Sequence, residues 1–183
     1  ESIIIIKENN MAVIQTTDIK VYLSGGADNT NPNASLGGAI SSTEMADDEL
    51  HNLFDKVSAA EALAGSTKYR AVYVKNENGH GLDYQDIIAY IASQTTSGDT
   101  SIEIAVSTEA KNTTIQTIAN ENTAPTGQDT WVSAEGVDNG QSMGTLGDGE
   151  YRGLWIKRIV SAGATAYGSD SATFGTRGET TAT

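Results

Sequence analysis

The apolar residues of this chain come in short runs, most of them alternating with polar residues, and Gly, Asn, Asp and Ser cluster between the runs. That pattern limits the fold more than any other feature. Alternation at period two puts one face of a strand into a core, whereas a helix needs apolar residues at i, i+3, i+4 and i+7. Residues 18–23 (DIKVYL) set Ile19, Val21 and Leu23 against Lys20 and Tyr22. Residues 68–76, 87–93, 101–107 and 150–160 read as further strands, and 113–120, 129–134 and 171–176 as shorter ones. In 68–76 the inward set is either Tyr69, Ala71 and Tyr73 or Arg70, Val72 and Val74. Residues 24–38, dense in Gly, Asn and Asp, form a long loop.

One helical signal interrupts this pattern. In residues 43–54, Leu50, Leu53 and Phe54 fall at helical spacing behind acidic residues suited to a first turn, which predicts two or three turns there. Strands do not alternate with helices, which argues against a parallel α/β sheet. The expected fold is all-β: an antiparallel β-sandwich, Ig-like or jelly-roll, with one short helix and an N-terminal arm. Residues 18–183 are expected to form a single sandwich domain. A chain of 183 residues can bury its own core without disulfides.

Composition removes several chemistries. The chain has no Cys, which excludes disulfides, Cys-ligated metals and cysteine nucleophiles. Its two His, His51 and His80, are too few for a multi-histidine metal site. Eleven Lys and Arg against 24 Asp and Glu leave a net charge of −13, which repels bare nucleic acid and anionic membranes. There is no GxSxG, Walker loop or HExxH, and residues 147–149 (GDG) read as a turn. With 24 acids some pair always lies at glycosidase spacing, so acid count is uninformative. The expectation is a protein that is not an enzyme and has no cofactor. Residues 28–33 (DNTNPN) carry calcium-type oxygen ligands, but at a spacing unlike an EF-hand. His51 is read as a surface residue of the helix, Trp155 as core, and Trp131 as either core or a sugar-stacking surface.

One internal echo is present. Residues 69–75 (YRAVYVK) match 151–157 (YRGLWIK) in identity or type at every position, each behind a Gly-containing turn. Both read as strands with one core face and one cationic face. Lys68, Arg70, Lys75, Arg152, Lys157 and Arg158 concentrate positive charge in or beside them. These six are either a contact face for an acidic partner or strand residues that pair with nearby Asp and Glu and blunt a sheet edge.

The N-terminal residues 1–17 read as an arm or a translated leader. Residues 3–6 are four isoleucines, too few for a signal peptide or a membrane span. Lys7-Glu8 can be encoded by a ribosome-binding sequence upstream of Met11, which makes Met11 a candidate start. The competing reading is a strand-forming arm, residues 3–6, that docks on a neighbour.

Residues 18–44 (DIKVYLSGGADNTNPNASLGGAISSTE), 50–76 (LHNLFDKVSAAEALAGSTKYRAVYVKN) and 149–180 (GEYRGLWIKRIVSAGATAYGSDSATFGTRGET) together resemble virion structural proteins of tailed bacteriophages. Residues 61–78 separately resemble the B-strand region of Ig-like sandwiches. The resemblance implies a head decoration (cement) protein, or a small tail or baseplate component, located in the virion. It implies the major capsid protein or other virion proteins as partners, a homo-oligomer with a trimer as the natural form, and neither nucleic acid nor membrane. It implies no catalytic residue. The alternative is a tail, baseplate or cell-surface sandwich that binds a receptor or carbohydrate.

Overall fold

The computed structural model describes residues 13–180 apart from 48 and 50. The isoleucine run 3–6 and Met11 lie outside the described residues. The chain forms ten strands: β1 (Ile19–Ser24), β2 (Gly37–Gly38), β3 (Ile40–Glu44), β4 (Ser66–Asn76), β5 (Tyr84–Ser93), β6 (Thr100–Val106), β7 (Ile115–Thr117), β8 (Gln141–Leu146), β9 (Tyr151–Val160) and β10 (Thr173–Thr180). A five-stranded sheet has the order β3-β1-β4-β9-β6, a three-stranded sheet the order β10-β5-β8, and β2 pairs with β7. Every ladder is antiparallel. The fold is an all-β sandwich.

The large sheet is buried on both faces. Leu23, Val72, Val74, Ile104, Leu154 and Ile156 pack between the sheets against Ile87, Ile91, Met143 and Leu146. On the opposite face Ala71, Tyr73, Ala105 and Trp155 form a second core with Ile115 and Ile118, where the β2–β7 pair lies across the sheet. Both inward sets considered for 68–76 are therefore correct. A central strand covered on both sides has no polar face, which is why alternation could not choose between them. The echo is corrected in the same way. β4 and β9 do not have a core face and a cationic face. In their register Lys68 opposes Arg158, Arg70 opposes Ile156 and Arg152 opposes Val74 on one side, and Lys157 opposes Tyr69 and Lys75 opposes Tyr151 on the other.

The helix is elsewhere than predicted. Residues 40–44 are β3, and 51–54 are turn and bend, with His51 at a φ of 62° that a helix cannot use. The α-helix is α1 (Ala59–Ala64). Ser58 caps it: its Oγ accepts from the Glu61 N–H while the Glu61 carboxylate accepts from the Ser58 N–H. Gly65, at a φ of 77°, stops it. The strand expected at 129–134 is a single bridge from Val132 to Ile104. β8 was not foreseen.

Candidate functional site

Three of the six singled-out cations meet at one end of the β4–β9 pair. Arg70, fully buried, reaches Glu121 and the side-chain oxygen of Asn33 (3.0 Å). Lys68 Nζ lies between Glu61 (2.7 Å) and Glu121 (2.8 Å). Arg158 donates to the Asp55 carbonyl and sits 3.3 Å from Glu61. The Phe54 ring lies against both guanidiniums, 5.5 Å from Arg70 and 5.1 Å from Arg158. Burial works against ionisation of Glu61, but the Lys68 ammonium and the Ser58 cap outweigh it and hold the carboxyl at about 2. Burial likewise opposes the Glu121 charge, and Lys68 and Arg70 overcome it and lower its pKa. Burial opposes the Lys68 charge too, and its two glutamates raise its pKa. This network ties α1, the 31–33 turn and the 121 loop to the centre of the sheet.

The other three cations are apart from it. Lys157 pairs with Glu103 and lies 4.6 Å over the Trp131 ring. Lys75 pairs with Glu77 and stacks on Tyr22 at 5.5 Å. Arg152 has no carboxylate partner among the described residues; its Nη1 donates to the Met143 carbonyl at 2.8 Å. The six therefore form no single patch. Five neutralise carboxylates of this chain, and the sixth bonds a strand carbonyl.

Arg152 borders a polar groove of about 420 Å³ with Ser107, Gln128, Asp129, Gln141 and Ser142. Its walls are carboxamides and hydroxyls, and several are held by the sheet edge: the Gln141 side chain accepts from the Val106 N–H at 2.7 Å and donates to the Thr130 carbonyl at 3.0 Å. Such a groove offers hydrogen bonds, the Arg152 guanidinium and the Asp129 carboxylate. Trp131 is half-buried, with its Nε1 donating to the Gln128 carbonyl at 2.9 Å and Tyr69 against its ring at 5.7 Å. Trp155 is buried, as expected for core.

The remaining sequence candidates are separate. His51 is exposed beside a second groove of about 230 Å³ lined by Thr30, Pro32, Thr43 and Met45. His80 is exposed in the turn after β4. The Asn side-chain oxygens of the 28–33 loop are used within the chain: Asn29 Oδ1 accepts from the Asn31 N–H, Asn31 Oδ1 from the Asn33 N–H, and Asn33 Oδ1 from Arg70. Among the described residues no three His, Asp or Glu gather as a metal site would require. No helix there is long and apolar enough to cross a membrane.

Sequence reasoning missed Glu61, Glu77, Glu103 and Glu121 as the partners of these cations. Only Glu61 carried a local signal, the Ser58-x-x-Glu61 capping box ahead of an Ala-rich run. Compared with models of protein families, with curated proteins and with solved structures, the chain matches none.

Proposed function

We propose that this chain is a non-enzymatic structural protein of a tailed-phage virion, a decoration subunit bound to the outer surface of the head. One observation carries the reading: seven of the eleven Lys and Arg residues lie in ion pairs within the chain, around a sheet buried on both faces. Internal pairing leaves the excess of 13 negative charges on a rigid, self-contained body. A subunit displayed in many copies needs that character, because like-charged surfaces neither coalesce nor adsorb nucleic acid. The resemblance of residues 18–180 to phage virion proteins supports the same role. Mass spectrometry of purified particles, ratioed to the major capsid protein, tests it. Hundreds of copies are expected, and absence from particles overturns the proposal.

A second reading draws on the groove beside Arg152. Its hydroxyl and carboxamide walls suit a polyhydroxylated ligand, as a tail or baseplate receptor-binding protein would use. A handful of copies per particle, together with glycan binding lost in Asp129→Ala, an exposed residue of the groove, would favour that reading over decoration.

A further inference from the structure

Two sheets that do not close into a barrel have four edge strands, and each presents unpaired N–H and C=O groups to any other strand. Three of these edges bond to groups of this chain. Along β6, the Gln94 side chain takes both backbone groups of Ile102, accepting from its N–H at 3.0 Å and donating to its carbonyl. Val132 takes both groups of Ile104, at 2.9 and 3.0 Å. Gln141 accepts from the Val106 N–H and Gln128 donates to the Val106 carbonyl. Along β8, Arg152 and Lys111 donate to the carbonyls of Met143 and Thr145. β3 is bordered by the 27–29 loop, with the Ser42 N–H donating to Ala27 and the Ser41 hydroxyl to Asn29.

β10 differs. It pairs with β5 alone, and among the described residues no side chain or loop bonds to its other edge. The strand is regular. At both register shifts the extra residue lies on β5, where one step from Thr173 to Phe174 spans Ser93 to Ile91, and Arg177 to Glu179 spans Ile88 to Gln85. Bulges that would bend an edge away from a partner are thus absent from β10 itself. Its exposed charges also complement each other. Arg177 and Glu179 flank Gly178, and both are exposed. In an antiparallel pair of identical strands centred on Gly178, Arg177 faces the partner's Glu179 and Glu179 faces the partner's Arg177, with Thr176 opposite the partner's Thr180. Residues directly opposite share a face, so both ion pairs form at once.

We propose that the edge of β10, to which no described residue bonds, binds a second copy of this chain, antiparallel and centred on Gly178, joining two three-stranded sheets into one continuous sheet across a two-fold axis. The inference does not depend on the virion reading. It specifies a two-fold contact, distinct from the trimer that the resemblance implies. One edge-to-edge contact is small, so the dimer forms in the micromolar range or above.

Sedimentation equilibrium across protein concentrations tests it with three charge variants. The parent chain should show monomer and dimer. Arg177→Glu alone sets two Glu–Glu pairs across the axis, and Glu179→Arg alone sets two Arg–Arg pairs; each should weaken the dimer about tenfold. The double variant R177E/E179R restores both opposite-charge pairs and should return the dimer to the parent value. Hydrogen exchange of the β10 amides should slow as concentration rises, in the parent and the double variant. A chain that stays monomeric at every concentration overturns the proposal. So does a double variant no better than the singles, an oligomer unaffected by either single change, or a dimer in which β10 exchange does not slow.

Discussion

The Tyr73 hydroxyl joins three elements. It donates to the Gly38 carbonyl of β2 and accepts from the Ile115 N–H of β7, inside a ring of Trp155, Ala71 and Ala105. Burial raises its pKa to about 12. Tyr73→Phe keeps the ring and removes both bonds, leaving the buried Ile115 N–H and the partly buried Gly38 C=O unpaired. The expected cost is about 1–3 kcal/mol, measured by urea unfolding. Gly37 is constrained more severely. Its φ is +87°, and a Cβ there would come within 1.8 Å of the Gln116 carbonyl oxygen, which is backbone and cannot swing aside. Gly37→Ala should therefore cost about 3 kcal/mol or more, and should loosen the β2–β7 pair before the rest of the sandwich. Native-state hydrogen exchange at Ile118, whose N–H donates to the Leu36 carbonyl beside the pair, reads that order directly.

Among the elements, β6 depends on a side chain outside any strand. Gln94→Ala would uncover the N–H and C=O of Ile102 at the edge of the large sheet. A loss of about 1–2 kcal/mol is expected, with faster aggregation on mild heating, followed by light scattering. This edge illustrates what the sequence could and could not disclose. β1, β4, β5, β6 and β9 were legible because they are long and rich in Ile, Val, Tyr and Ala. β8 was not, because Ser142, Gly144 and Thr145 dilute its two core residues, Met143 and Leu146. Residues 129–134 looked like a strand, yet only Val132 reaches the sheet. The cations of the candidate site were legible as a concentration of charge. Their partners were not, since Glu103 and Glu121 come to Lys157, Lys68 and Arg70 only through the strand register and a distant loop. The helix was misplaced because three apolar residues in 43–54 outweighed a capping box at 58–61 that is a more specific start signal.

For the molecule as a whole, the titration of its buried and partly buried groups bounds its stability. Glu61 ionises at about 2 in the folded chain against 4.5 for a free glutamate. A lowered folded value gives stability that is complete above pH 4.5 and is lost as pH falls toward 2; the lowered Glu121 acts in the same direction. Tyr22 and Tyr73 are raised from 10.0 to about 12, so their contribution is complete below pH 10 and is lost as pH rises through 12. Thermal unfolding against pH should give a plateau between these limits, and Glu61→Gln should flatten the acid limb. The central ladder sets the tempo at which this structure is reached. Ser66 opposes Val160 and Arg70 opposes Ile156, so the two longest-paired strands enclose the 74 residues from 77 to 150. Both cores use residues of β4 and of β9, so neither is complete until that loop closes. Folding is therefore expected on the millisecond-to-second scale of high-contact-order β proteins. A nascent or refolding chain must cross that interval with β4 exposed on both faces, when dilution or a chaperone matters most.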